Sequence, residues 1–121
     1  MTNINGIVYS DDMKTIEKCD IRLSGFIAIP EGVEFIKERA FSCTNITSVK
    51  LPSSLKYIGK RAFAYGNIQK INLQHVKRID AKAFYGCNLN YIELPGSLKT
   101  VTESSFAWNQ DTLNKKIVLN E

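Results

Sequence analysis

The chain has 121 residues, 44% of them hydrophobic and 23% charged, and a formal net charge of +4. That balance suits one folded domain with one core and excludes a disordered or fibrous chain. No apolar run approaches the roughly 18 residues of a membrane-spanning helix, and the mild positive charge gives only a weak pointer to an acidic partner.

The opening residues, MTNINGIVYSDD, show no basic stretch followed by an apolar one. This predicts a cytoplasmic chain, or an extracellular one if the sequence is a processed or excised piece. In the same segment Ile7, Tyr9 and Ile16 surround the turn-prone Ser10-Asp11-Asp12. The pattern predicts a β-hairpin over 6–9 and 14–18, with Lys14, Glu17 and Lys18 in water. Residues 1–24 lie outside the repeat that begins at residue 25 and are expected to cap its first coil.

From residue 25 the chain repeats itself. The units are 25–46, 47–68, 69–89 and one that begins at 90, lengthens through 111–114 and leads to a fifth strand at 115–119. They carry IKERAF from Ile36, IGKRAF from Ile58, IDAKAF from Ile79 and VTESSF from Val101. Phe41, Phe63, Phe84 and Phe106 stand 22, 21 and 22 residues apart. A period of this length is the mark of a solenoid, in which each unit buries its apolar face against the next. One domain over 1–121 is expected, with cap 1–24 and array 25–121.

Within a unit, two apolar residues at i and i+2 make a short strand with both side chains inward. The pairs are Ile27/Ile29, Val49/Leu51, Ile71/Leu73 and Ile92/Leu94, and Pro30, Pro52 and Pro95 end three of the strands. Proline cannot donate a ladder hydrogen bond, so it belongs at a strand end. An apolar anchor follows (Val33, Leu55, Val76, Leu98), and three residues later comes Ile36, Ile58, Ile79 or Val101. The spacing of I-x-x-x-A-F then suits one turn of helix or 3₁₀-helix. Asn45, Asn67 and Asn88 recur in the return turn, where asparagine tolerates left-handed geometry. The third unit is one residue short between Leu73 and Val76 and lacks the proline, which predicts a tighter corner.

The pattern I-x-I-P-x-x-V-x-x-I-x-x-x-A-F-x-x-C-x-N resembles the BspA-like leucine-rich repeat family over about residues 25–121. The opening GIVYSDDMKTI resembles the segment that often precedes such repeats. The resemblance implies an α/β-class, right-handed leucine-rich-repeat solenoid with a short parallel sheet on its concave face. Short helix or 3₁₀ turns would lie opposite, with the β-hairpin as N-terminal cap. It also implies protein binding, often as a surface adhesin, and no enzymatic activity.

Residues fit for catalysis are few. His75 is the chain's only histidine and sits in the corner of the short unit. A nucleophile triad needs a positioned base, and no second candidate exists. Cys19, Cys43 and Cys87 are widely spaced without a CxxC, which argues against a zinc site or disulfide framework and for buried free thiols. No phosphate-binding glycine motif occurs, and the acidic residues are scattered. Asn45-Ile46-Thr47 spells a glycosylation triplet, but the recurring asparagine column explains it better. No cofactor and no metal are expected.

Strand alternation turns the partners of the inward pairs onto the concave sheet. These are Phe26, Ala28, Ser48, Lys50, Lys70, Asn72, Tyr91, Glu93, Lys116 and Val118, a surface suited to another protein. A second, basic face gathers Arg39, Lys56, Lys60, Arg61, Lys77, Arg78, Lys82 and Lys99, stacked from unit to unit at roughly 5 Å. It suits an acidic protein or a nucleic-acid backbone. The leading expectation is a non-enzymatic protein-interaction module that binds through the concave face. The alternative is a small intracellular inhibitor or adaptor, such as a phage encodes, that docks its basic face on acidic or nucleic-acid-handling machinery. At the last strand, Lys115 and Lys116 are expected to guard a monomer's edge, with a two-fold dimer through that edge as the second expectation.

Overall fold

The computed structural model describes residues 1–109 and the strand Ile117–Asn120. It is rich in short strands and almost without helix, and each unit contributes to two separate parallel ladders. None of the sheets closes on itself.

The hairpin forms as expected, slightly shifted and with an extra strand. Strand β1 (Thr2–Ile4) pairs antiparallel with β2 (Ile7–Tyr9), which pairs antiparallel with β3 (Thr15–Cys19). Asn5 (φ 51°) and Gly6 (φ 87°) make the first turn, the geometry that Asn-Gly supplies at low cost. The cap is also a rung. Strand β3 runs parallel to β5 (Phe35–Ile36), which continues to β7 (Tyr57–Ile58) and β8 (Arg78–Ile79). A bridge from Arg78 to Thr100 extends the ladder. Ile16 thereby stands in one row with Ile36, Ile58 and Ile79, all with no exposed area. Val101, expected in the same row, is 38% exposed. Among the described residues nothing stacks beyond it on this ladder.

The proline-ended strands form the other ladder. Strand β4 (Ser24–Ala28) pairs parallel with β6 (Asn45–Lys50), and β9 (Ile92–Pro95) with β10 (Ile117–Asn120). The register matches Ile117 to Ile92 and Leu119 to Leu94. The expected fifth strand is thus present over Ile117–Asn120, while Lys115 and Lys116 lie outside the described residues. The short third unit adds only the bridge from Asn72 to Glu93 and shares no strand pairing with β6. Its corner is tight, as expected. Gln74 takes a left-handed φ of 50°, and Val76 N–H donates to Leu73 O at 3.0 Å. The Gln74 amide donates to Leu51 O at 2.6 Å, a side-chain link between units.

The core is the stack of phenylalanines. Phe41, Phe63 and Phe84 are at most 1% exposed and Phe106 is 8% exposed. Their rings lie nearly parallel, with centroids 5.2, 5.3 and 5.7 Å apart. Each such pair adds about 0.5–1.5 kcal/mol beyond the area it buries. Ala40, Ala62, Ala83 and Ser105 line the row before them, small enough for units to approach closely. Gly59 serves the same end. A Cβ there would stand 2.8 Å from the Glu38 nitrogen and the Ile36 oxygen.

Two local expectations need correction. The I-x-x-x-A-F stretch is not helical in the first three units. Arg39, Arg61 and Lys82 adopt φ of 60°, 56° and 59°, which no right-handed helix tolerates. The backbone instead bonds between units, with Phe41 N–H donating to Ala62 O, Phe63 to Ala83 and Phe84 to Ser105 at 2.7–2.8 Å. Only the fourth unit, with Ser104 in that place, forms a 3₁₀ turn, Glu103–Phe106. The left-handed turn residue is also misplaced in the sequence reading. Of Asn45, Asn67 and Asn88 only Asn88 has positive φ, at 73°. The regular position is two residues after phenylalanine, filled by Cys43, Tyr65, Gly86 and Trp108 at 58–64°. The asparagines link units instead. Asn67 Nδ2 donates to Asn45 Oδ1 at 3.5 Å, and Asn88 Nδ2 to Asn67 Oδ1 at 3.4 Å.

Candidate functional site

Strand alternation on β4, β6 and β9 turns a row of side chains outward. Phe26, Ser48, Lys50, Lys70, Asn72, Tyr91 and Glu93 are all exposed, Phe26 by 61% and Tyr91 by 39%. Lys116 lies outside the described residues. The face is not flat. A concavity of about 360 Å³ opens between β6 and β9, lined by Ser48, Lys70, Asn72, Tyr91 and Glu93 over Val49 and Ile71. It lies where the ladder is interrupted. The shortened third unit leaves a bridge where its neighbours have strands, and the side chains on either side form the walls. Tyr91 and Lys70 also border a second hollow, with Gln69 and Asn90. An apolar floor with a cation, a carboxylate and an aromatic at the rim fits a protein side chain or loop.

The basic residues fall on two adjoining sides. Lys56, Lys77 and Lys99 occupy successive rungs just before the isoleucine ladder, since Lys77 N–H donates to Lys56 O and Lys99 N–H to Lys77 O. Two of the expected charges are compensated. Lys56 pairs with Glu34 at 3.0 Å, and Arg78 pairs with Asp80 at 3.0 Å while its guanidinium lies 5.4 Å over the Tyr57 ring. Tyr57 also donates its hydroxyl to Asp80. Burial alone would raise the Asp80 carboxyl, but the hydrogen bonds from Tyr57 and Arg78 and the charges of Arg78 and Lys60 outweigh it and hold it below the ordinary range. Arg39, Lys60, Arg61 and Lys82 lie on the next side, around the left-handed turn. The sequence grouped all eight as one face; the structure divides them between the ladder and the turn.

The thiols differ from one another. Cys87 is buried, and burial pushes its thiol up to about 12 while it donates to Phe63 O at 2.6 Å. Cys19 is half-buried, pushed up to about 11 chiefly by burial and then by Asp20. Cys43 is exposed, because the left-handed turn carries it outward, so the expectation of three buried thiols holds for Cys87 alone. His75 is exposed at its corner. Among the described residues no group of three His, Cys, Asp or Glu could hold a metal, and no helix is long and apolar enough to cross a membrane.

One feature escaped the sequence reading. Tyr65, Tyr85 and Trp108 form an aromatic row on the turn side, with ring centroids 5.5 and 6.0 Å apart. Tyr65 is 60% and Trp108 79% exposed. They stand two, one and two residues after their phenylalanines, and this uneven offset hides the row from a column search.

The chain has relatives that fit this architecture. The family model for the BspA type leucine-rich repeat region, in 6 copies, matches residues 1–113, hairpin included. A solved leucine rich cell surface protein from Faecalibacterium prausnitzii A2-165 is similar, with a TM-score of 0.66 at 25% identity. The likeness covers 95% of this chain and 38% of that one. The chain thus spans well under half the length of the solved protein. No curated protein matches. A match that runs through nearly every rung of a stack repeating at 21–22 residues makes this chain a member of the BspA-type leucine-rich repeat family.

Proposed function

We propose that this chain is a non-enzymatic protein-interaction module, built as a right-handed solenoid, whose concave sheet face is the binding surface. The observation that carries the reading is the concavity between β6 and β9. It sets Lys70, Tyr91, Asn72 and Glu93 around an apolar floor, next to the exposed ring of Phe26. Aromatic and cationic side chains at the rim of such a hollow are the usual anchors of a protein interface. Leucine-rich repeats generally mediate protein–protein contacts, and the solved relative is described as a cell surface protein. On a cell surface, this face would meet an external protein.

The basic face is the weaker alternative. Glu34 and Asp80 already compensate Lys56 and Arg78, so the charges on the ladder side need an outside anion less than their stacking suggests.

The test begins with partners captured by the parent chain and identified by mass spectrometry. Changing Lys70 and Tyr91 together to alanine should then weaken the titrated affinity at least about 30-fold, as loss of a ~2 kcal/mol hot spot does. Folding should be unaffected, because both side chains point to solvent. An unchanged dissociation constant would sink this assignment of the face.

A further inference from the structure

We infer that the turn side of the stack is a binding surface for single-stranded nucleic acid, separate from the sheet face. Two rows run side by side there, Arg39, Arg61 and Lys82 in one and Tyr65, Tyr85 and Trp108 in the other. Lys82 Nζ lies 5.4 Å over the Tyr85 ring, which joins the cationic row to the aromatic one. These rows carry no carboxylate.

Each row suits one part of a single strand. Exposed aromatic side chains stack bases without regard to sequence, and cations beside them track the phosphates. The centroid spacings of 5.5 and 6.0 Å exceed the ~3.4 Å rise between bases in a duplex. The exposed rings are those of Tyr65 and Trp108, and the row is not parallel, with planes 78° apart at Tyr65–Tyr85 and 32° apart at Tyr85–Trp108. Only a strand free to splay its bases can therefore meet both exposed rings, and the surface selects single over double strands. An acidic protein would use the cations but has no need of two exposed rings. A neutral polymer would use the rings but not the cations. Tyr65 and Trp108 also hold left-handed φ of 58° and 60°, a conformation that glycine adopts more cheaply and does adopt at Gly86, the same turn position of the third unit.

The chain has one tryptophan, Trp108, so its fluorescence reports directly on this row. Titration with a short oligothymidylate should quench that emission, while the same strand annealed to its complement should not. Anisotropy of a labelled strand should show Tyr65→Ala and Trp108→Ala each weakening binding by roughly 5- to 150-fold, the measured range for loss of one base–aromatic stack. With three cations on three phosphates, raising salt from 50 to 200 mM should cost roughly 20-fold. Lys70→Ala, on the sheet face, serves as the control and should bind as the parent does. Both aromatic variants should keep the parent's circular dichroism, since their side chains are exposed. Absence of quenching, equal binding of duplex, or equal quenching by polyglutamate would overturn the inference, the last by making this an acidic-protein surface.

Discussion

At the scale of single residues, burial and geometry decide more than chemistry does. Phe63 sits between Phe41 and Phe84 in the ring stack and is 1% exposed. Truncation to alanine removes two stacked pairs and leaves a void that the neighbouring rungs cannot fill. Phe63→Ala should therefore cost ~3–5 kcal/mol, as buried aromatic truncations do. Chemical denaturation checks it, and a midpoint equal to the parent's would mean that the ring stack does not carry the core. The phenylalanines were legible in the sequence because only a buried ring recurs so strictly. The exposed aromatics were not, since solvent imposes no common offset on Tyr65, Tyr85 and Trp108.

At the scale of elements, the isoleucine ladder shows how polar groups finish what the apolar rows begin. Its outer side carries the cluster of Tyr57, Arg78 and Asp80 across β7 and β8. Asp80 has a folded-state carboxyl below its ordinary value, so it contributes stability above the unfolded-state range and loses it as pH falls through the folded-state value. Asp80→Asn should lower stability by about 1–2 kcal/mol at neutral pH, the worth of partly exposed charged hydrogen bonds. The deficit should shrink on acidification below the ordinary carboxylate range. Denaturation series at neutral and acid pH test this, and a deficit that grows toward acid would reverse the assigned role. The strand pairs of the first, second and fourth units were readable from alternation, whereas Ile71 and Leu73 of the third, expected as a strand, flank only the bridge at Asn72. The isoleucine ladder was not readable, because β5, β7 and β8 are two residues long and carry no period of their own. The helical turn was misread for a related reason. Its apolar spacing is right, but the left-handed φ at Arg39, Arg61 and Lys82 depends on contact with the next unit, which local pattern does not encode.

At the scale of the whole molecule, stability should be graded along the stack, because each unit touches only its neighbours. The central rungs are covered on both sides. Gly59 N–H donates to Ile36 O, Phe63 to Ala83, Ile79 to Thr100 and Phe84 to Ser105. The first proline-ended strand is covered less. The hairpin extends the isoleucine ladder but not the other one, so β4 has no strand on its outer side among the described residues. The cap expected to close the first unit thus closes one of its two ladders. Phe26 stands exposed on this uncovered strand, while Ile27 beside it is only partly buried. Local opening should therefore begin here and leave the phenylalanine stack intact. Native-state hydrogen exchange should find the amides of Gly59, Phe63, Ile79 and Phe84 among the slowest, with those of β4 exchanging well before global unfolding. Low denaturant should speed exchange only slightly for β4, because its opening exposes little surface, and strongly for the central amides. If β4 instead exchanges at the same rate and with the same denaturant dependence as Phe63, the stack opens as a single unit, and the proline-ended ladder is held as firmly as the isoleucine ladder.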